Sequence, residues 1–348
     1  MERVRIFSAP NVKAKYRMGK LLSKLDYENL LGKKSVYEIA LYLKENTFYR
    51  GVIDNKLNMN DVHRGDLELI LKRNIVSNIE DFIHYFNKGY RDFLVGLLMR
   101  YEVEDLKLIL RTITRNEDMS DISEKFVHSK RYKNISYEGI SNEITIESFI
   151  ESLKPTLYYR PLQTLTQDDI LKREFHMEMN LDYLYFSNLY KITNELNKKD
   201  ENLIKKLLGK NIDLINLQWI YRAEKYYGLY PEEIFNYTLE NGFKITPKKI
   251  KKLIYEVDSK NFIEEMESGQ YSEIFKNLEE VQLDRRISNF MLKEFKKAYK
   301  EDSLGFGTFI LYIHLLEYEI RDIITITEGI RYDLPRDEVE KYLIKFLG

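Results

Sequence analysis

The sequence of 348 residues contains no cysteine. Disulfide bonds, thiolate metal sites and cysteine nucleophiles are therefore excluded, and the composition fits a reducing compartment. Glycine and proline are also scarce, at 15 and 6 residues. Because both residues interrupt helices, their scarcity favours long helices joined by short turns. No alternating apolar pattern is long enough for a strand, so the sequence predicts an all-α fold.

Basic and acidic residues are almost equal in number. The sequence also has no long run of apolar residues. The 55 basic and 56 acidic side chains give a net charge of −1, which argues against a surface that generally binds nucleic acid. The longest apolar run, residues 305–316, falls short of the roughly 20 residues that span a bilayer. The N-terminal stretch has no apolar core of signal-peptide length. We therefore expect a soluble protein, which at a membrane would work from the outside.

Familiar catalytic and cofactor motifs are missing as well. None of the five histidines forms the i, i+4 pair of a helical zinc site. The sequence has no HExxH, phosphate loop, GxGxxG or GxSxG motif. We therefore expect no catalytic residue, no cofactor and no metal. A basic run at residues 244–252 is interpreted as a solvated helix face, with a binding role as the alternative.

The sequence does contain one helical motif in three copies: an acid, two other residues, Asp or Asn, and then Leu or Ile. The copies begin at Glu102, Asp213 and Glu319, so they start 111 and 106 residues apart. Residues three apart are neighbours on one helix face. A repeat of this period predicts three related modules in a row. The residues of interest in and after the copies are Glu102, Asp105, Arg111, Asp213, Asn216, Arg222, Glu319, Asp322 and Glu328.

A second marker has a similar period. Tyr49, Tyr158 and Tyr271 are separated by 109 and 113 residues, and the first two end a Thr-x-Tyr sequence. Each module is predicted to open with a capped helix, beginning after Ser35, Thr145 and Thr246 respectively. Long helical stretches with apolar spacing follow at 79–99, 181–208 and 283–316, of which the first is the shortest.

The chain before these modules predicts one more helix. Residues 11–24 form a basic amphipathic pattern whose expected apolar side is Val12, Tyr16, Leu21 and Leu22. The predicted domains are an N-terminal helix packing on the body at 1–34 and helical modules at 35–140, 141–245 and 246–348.

The motif acids have alternative interpretations. Converging carboxylates can act as acid and base. A repeated acid can also be structural, by capping a helix, pairing with Arg111 or Arg222, or binding helix ends of the neighbouring module. A further alternative is an interface role, in which the motif helices contact a partner. The candidate interface or inter-module residues are Glu102, Asp105, Arg111, Asp213, Asn216, Arg222, Glu319 and Asp322.

The three motif copies, the Thr-x-Tyr turns and the segment GFGTFILYIHLLEYEIRDI together resemble the C subunit of prokaryotic V-type (A-type) ATP synthases. The eukaryotic counterpart is the d subunit of the vacuolar ATPase. The resemblance covers essentially the whole chain and rests on the order and period of the motifs. The third module departs from the family pattern, with Asp322 in place of the common Asn and Glu328 at the Arg position.

This resemblance implies three similar helical bundles arranged as a funnel around a pseudo-threefold axis. In such a ring, the motif helices are expected to line the central opening. It implies a non-catalytic subunit, monomeric alone and present once per complex, peripheral to the cytoplasmic face of the membrane. The implied partners are central stalk subunits D and F and the proteolipid ring, with the membrane stator subunit as a further candidate and no nucleic acid. The subunit would carry torque for ATP-coupled proton or sodium transport. The alternatives are a helical-repeat scaffold that binds a peptide or RNA, and a helical enzyme using clustered carboxylates.

Overall fold

The chain folds into helices throughout the part that the structure describes. This computed structural model describes residues 2–54, 57–59, 61–138, 140, 144–166, 170, 174–257, 259–279 and 282–345. Within these ranges there is no strand, so the predicted all-α fold is confirmed. No described helix is both long and apolar enough to cross a membrane. Residue 141, at a predicted module boundary, lies outside the described residues.

The helices in chain order are as follows. The first are α1 (Glu2–Met18), α2 (Lys24–Leu31), α3 (Val36–Asn46), α4 (Arg50–Ile53), α5 (Arg64–Ile83) and α6 (Lys88–Thr114). The next are α7 (Ile146–Ser152), α8 (Tyr159–Leu162), α9 (Glu174–Ile192), α10 (Lys198–Arg222) and α11 (Pro231–Asn236). The last are α12 (Pro247–Tyr255), α13 (Ser259–Glu267), α14 (Ser272–Phe275), α15 (Leu283–Glu301), α16 (Gly307–Arg331) and α17 (Arg336–Glu340).

The three predicted helix openings are confirmed. The side-chain oxygens of Ser35, Thr145 and Thr246 each accept the backbone N–H three residues further on, at 3.2, 3.2 and 3.3 Å. Such caps satisfy a donor that the first turn of a helix leaves without a partner. The local sequence therefore sets where α3, α7 and α12 begin.

Three pairs of long helices carry the repeated motif on their second members, α6, α10 and α16. The expectation that the first stretch, 79–99, is the shortest is wrong for the helices themselves: α5 and α6 have 20 and 27 residues, against 19 and 25 in each of the other two pairs. The apolar pattern at 79–99 runs across a turn: α5 ends at Ile83 and α6 begins at Lys88. The apolar pattern did not locate this turn.

The chain divides into two compact units. Unit 1 comprises Met1–Asn78, Lys198–Leu207 and Ser259–Gly348, and unit 2 comprises Ile79–Asn197 and Leu208–Asp258. Unit 1 is thus built from both ends of the chain. The three predicted modules describe the sequence repeat, and that division remains a prediction.

In unit 1, α1 packs against α16. The buried stripe of α1 is Phe7, Pro10, Asn11 and Ala14. The Asn11 amide donates to the carbonyl of residue 305 at 3.2 Å. The predicted apolar side is wrong for Val12 and Tyr16, which are 70% and 59% exposed. The helix ends at Met18 and not at residue 24, so Leu22, which is buried as expected, follows the helix. A polar residue with its own hydrogen bond occupies the buried face, and an apolar pattern cannot anticipate that.

Helices α16 and α17 of unit 1 approach each other closely. Helix α17 packs on α16, where a Cβ added to Gly329 would lie 2.4 Å from a methyl of Val339. Only glycine leaves room for this approach.

In unit 2, α6 packs along α9. Lys107 pairs with Asp182 at 2.6 Å, and Arg111 pairs with Glu178. A Cβ added to Gly96 of α6 would lie 3.0 Å from Ile192 and 3.2 Å from Leu189 of α9, and Leu94 and Leu98 on either side of it are buried. Burying these side chains contributes about 1.5–3 kcal/mol each to the free energy of unfolding.

Candidate functional site

The six residues of the three motif copies are buried, and none is more than 2% exposed. They are Glu102 and Asp105 on α6, Asp213 and Asn216 on α10, and Glu319 and Asp322 on α16. Buried charges are stable only when hydrogen bonds or opposite charges compensate them. We call the two residues that each helix contributes a motif pair. The groups that hydrogen-bond to a motif pair, together with the pair itself, form the candidate site.

The second residue of each motif pair binds the backbone of a segment further along the chain. Asp105 accepts from the N–H groups 22 and 23 residues on, at 2.8 and 2.9 Å. Asp322 does the same at 2.7 and 2.8 Å. Asn216 accepts from the N–H of Leu239, 23 residues on, at 2.7 Å and donates to its carbonyl at 2.8 Å. The carboxylates therefore use two acceptors, and the amide uses one acceptor and one donor.

The type of residue found 23 positions after the second motif residue depends on whether that motif residue is Asp or Asn. His128 follows Asp105, and its Nδ1 lies 2.7 Å from the carboxylate. Lys345 follows Asp322, and its ammonium pairs with Glu319 in the same motif pair. Leu239, an apolar residue, follows the neutral Asn216. A basic side chain is thus present at this offset only where the motif residue is an aspartate.

The first residue of the motif on α6 holds two segments of unit 2. Glu102 accepts from the backbone N–H and the side-chain amide of Asn134 at 2.5 and 2.8 Å. It also accepts from the Tyr158 hydroxyl at 2.7 Å. Tyr158 is one of the periodic tyrosines, and its N–H donates to Thr156 Oγ1 at 3.2 Å. The Thr-x-Tyr turn therefore presents the phenol to the carboxylate.

The same arrangement recurs on α16 in unit 1. Glu319 accepts from the Tyr49 hydroxyl at 2.8 Å and from the Leu22 N–H at 2.7 Å. Tyr49 N–H donates to Thr47 Oγ1 at 3.2 Å, as in the other Thr-x-Tyr turn. Glu319 also pairs with Lys345, whose ammonium donates to the Leu22 carbonyl at 3.0 Å. The two ends of the chain therefore meet at one carboxylate.

The motif acid on α10 binds the segment that leads into α12. Asp213 accepts from the backbone N–H groups of Lys244 and Ile245, at 2.7 and 3.1 Å. These donors lie just before the Thr246 cap. Asp213 therefore ties α10 to the segment that immediately precedes α12.

Burial dominates the electrostatics of the pair on α16. It raises the pKa of Asp322 to about 6, although two backbone N–H groups, Tyr27 and Lys345 favour the charged form. Burial also raises the pKa of Glu319, and Lys345 opposes that shift. Burial and the neighbouring carboxylates raise the pKa values of Tyr27 and Tyr49 well above the usual range. Both phenols therefore stay protonated and act as donors.

The charged residues that follow the motif lie apart from these buried groups. Arg111 pairs with Glu178 on α9, and Arg222 is exposed at the end of α10. Glu328 accepts from Arg64 at 2.5 Å, which joins α16 to the start of α5. Within the described ranges, no group of three His, Cys, Asp or Glu could hold a metal ion.

Sequence reasoning found the motif acids and two of the tyrosines but missed their pairing. The other donors are mostly backbone N–H groups, which have no side-chain signature. The only usable signal is the fixed offset of 22 and 23 residues with its matched charge at His128 and Lys345.

The burial of the motif pairs bears on their expected role. Side chains that are at most 2% exposed in the chain do not present a surface to a partner. Their hydrogen bonds fall on other segments of the same chain, which favours the alternative that they hold the chain together.

Comparison with known proteins agrees with the resemblance seen in the motifs. The family model described as ATP synthase (C/AC39) subunit matches residues 10–342. The C subunit of the A-type ATP synthase of Methanosarcina mazei is 26% identical over 255 residues, covering 73% of this chain and 68% of that protein. The proteins of the same name from Methanobrevibacter smithii and Methanosphaera stadtmanae are 22% and 20% identical, each covering 97% of this chain and 88% of the relative. Since the family model spans nearly the whole chain, the chain belongs to the ATP synthase (C/AC39) subunit family.

Proposed function

We propose that this chain is the non-catalytic rotor adaptor of an A/V-type ATP synthase. Its membership of the ATP synthase (C/AC39) subunit family over residues 10–342 carries the proposal. In this role it links the central stalk, subunits D and F, to the proteolipid ring at the cytoplasmic face of the membrane. The membrane stator subunit is a further candidate partner.

The hydrogen bonds of the motif pairs support a load-transmitting role. A part that carries torque must keep its segments in register while force acts between its two faces. In unit 1, Glu319 joins α16 to residues Leu22 and Tyr49. In unit 2, Glu102 joins α6 to Asn134 and Tyr158. Buried charge-assisted bonds of this kind contribute about 1.5–3 kcal/mol each and resist shear between the segments they join.

The same bonds weigh against the enzyme alternative. A general acid or base needs a carboxylate that can reach a substrate proton. The five motif carboxylates are buried, and each is already engaged by two or more backbone or phenol donors: Glu102, Asp105, Asp213, Glu319 and Asp322. They serve as acceptors inside the fold.

The proposal is tested by purifying the assembled complex. A tagged full-length chain, expressed in place of the native one, is captured from detergent-solubilised membranes, and its partners are identified by mass spectrometry. We expect the ATP-hydrolysing head, the D and F subunits and the proteolipid to co-purify in fixed stoichiometry. Capture of the tagged chain alone from membranes that contain the intact synthase contradicts the proposal. The untagged strain is the control for non-specific capture.

A second measurement addresses coupling. Membrane vesicles that lack this chain should retain ATP hydrolysis by the head but lose ATP-driven ion uptake, because stalk and ring are no longer joined. Ion uptake that survives deletion of the chain, with the other subunits present, contradicts an adaptor role.

A further inference from the structure

Helix α12 (Pro247–Tyr255) presents a strongly basic face to the surroundings. Ile250, Leu253 and Ile254 are buried and fix the helix on unit 2. The opposite side, at i, i+3, i+4 and i+7 spacing, is formed by Lys248, Lys251, Lys252 and Tyr255. All four are exposed. We call these four residues the lysine face.

The charge pattern of this helix opposes its own stability. Lys248 and Lys249 lie in the first turn, which contains no acid, and cations there oppose the positive end of the helix dipole. Lysines three and four residues apart also repel each other. The helices α11 and α17, which also open at a proline, have acids in the first turn instead. A local rule that is broken at α12 and obeyed at its counterparts is the pattern expected of a binding site.

The surroundings add positive charge and aromatic rings. Residues 244–252 contain five lysines and no acid, in a chain whose net charge is −1. The ammonium of Lys251 lies 5.2 Å from the centre of the Phe235 ring, and that of Lys244 lies 5.3 Å from the Phe243 ring. The phenol of Tyr255, 50% exposed, stands at the end of the lysine face. Two acids, Glu256 and Asp258, follow the helix in the sequence.

We propose that the lysine face binds the anionic headgroups of a lipid bilayer. Lysine clusters bind negative membrane surfaces through long-range attraction, and tyrosine favours the boundary between headgroups and acyl chains. The face has lysines and no arginine, so it lacks the planar fork that reads nucleic-acid bases. This inference rests on the proposed function, which brings the chain to a membrane, and adds a lipid contact to its protein partners.

The test is co-sedimentation of the purified full-length chain with vesicles. Vesicles of phosphatidylcholine alone are compared with vesicles that also contain phosphatidylglycerol. We expect binding only to the anionic vesicles, with affinity falling as salt increases. Each lysine near such a surface strengthens binding roughly 5-fold. The triple exchange Lys248→Gln, Lys251→Gln and Lys252→Gln should therefore weaken binding on the order of 100-fold.

A matched control is available in unit 1. Lys293, Lys297 and Lys300 lie on α15 at i, i+4 and i+7 and are also exposed. Lys293 pairs with Glu273, and Lys300 lies in the last turn, where a cation suits the helix dipole. Exchanging these three for Gln changes the net charge by the same amount but should leave vesicle binding nearly unchanged. The melting temperature of the lysine-face variant should stay equal or rise, because first-turn repulsion is removed.

Three results overturn the inference. One is an absence of wild-type binding to anionic vesicles, and another is an equal loss of binding in both triple variants. The third is binding to an RNA oligonucleotide through the lysine face without vesicle binding. Failure here while the synthase still co-purifies with the chain rejects the lipid contact alone. Vesicle binding without co-purification rejects the adaptor role alone.

Discussion

Tyr49 donates a hydrogen bond to Glu319 across 270 residues of chain. The equivalent turn in unit 2 places Tyr158 on Glu102, 56 residues apart. Both phenols are presented by a Thr-x-Tyr turn of the same geometry. Two of the three periodic tyrosines, Tyr49 and Tyr158, are therefore partners of motif acids, and each pair joins elements that are distant in sequence.

Removing the hydroxyl of Tyr49 or Tyr158 should destabilise the fold, although the aromatic ring stays in place. Tyr49→Phe and Tyr158→Phe each leave a buried carboxylate without one donor, which costs about 1–3 kcal/mol in the free energy of unfolding. Urea denaturation measures this loss. Tyr332→Phe is the control, since Tyr332 is 63% exposed and its change should stay within about 0.5 kcal/mol. Equal effects at all three tyrosines would contradict the assigned roles.

Removing two motif acids distinguishes an interface role from an internal one. Asp213→Ala with Glu319→Ala should lower the melting temperature of the free chain by several degrees, because both acids hold backbone segments inside it. Differential scanning calorimetry measures this shift, and binding to a purified D–F stalk is measured alongside. An unchanged melting temperature with weakened stalk binding would instead place these acids at the interface.

The raised pKa of Asp322 predicts a specific pH dependence. Its pKa rises from 3.8 to about 6 on folding, so the folded state binds the proton more tightly. The resulting stabilisation is complete below pH 3.8 and is lost as the pH rises through 6. The stability of the wild type relative to Asp322→Asn should therefore fall by up to about 3 kcal/mol across this window. Urea denaturation of both proteins at several pH values measures it, and a constant difference would refute it.

The opposite exchange, Asn216→Asp, tests the one motif pair whose second residue is neutral. In Asn216→Asp, an ionised oxygen would face the Leu239 carbonyl, to which the amide now donates. The expected loss is about 3 kcal/mol or more at neutral pH. Lowering the pH should recover part of it, because a protonated carboxyl again offers a donor. A loss that does not depend on pH would show that the carbonyl contact is unimportant.

The close contact at Gly329 can be probed by compensation. Gly329→Ala places a methyl against Val339 and should cost about 1–3 kcal/mol. Val339→Ala in the same chain should restore part of that loss by making room. Strictly additive effects of the two changes would mean that the strain lies elsewhere.

Local features of the sequence were predictable because their partners are local. The caps at Ser35, Thr145 and Thr246 each depend on a donor three residues away. The all-α class follows from the same short-range information. The boundary between α5 and α6 was missed, because apolar spacing continues across the turn after Ile83.

The contacts of the motif pairs required the three-dimensional structure. Leu22 contributes only its N–H and carbonyl to the cluster around Glu319, and any residue could supply these. Asn11 occupies a buried position that apolar patterning assigns to the other side of α1. In both cases the position of the residue is set by a hydrogen-bond partner about 300 residues away in the sequence. A local sequence pattern contains no information about such a partner.

The discontinuity of unit 1 has a consequence for the newly made protein. Its first segment, Met1–Asn78, belongs to the same compact unit as Ser259–Gly348, so the first segment cannot complete its packing until the later segment has been synthesised. At about 5–20 residues per second, the wait is on the order of tens of seconds. During that time the side of α1 that will face α16 has no partner on that helix, and Tyr49 has no Glu319 to bind. Ribosome-associated chaperones should therefore engage the first helices until residues 259–348 have left the ribosome and the unit can close.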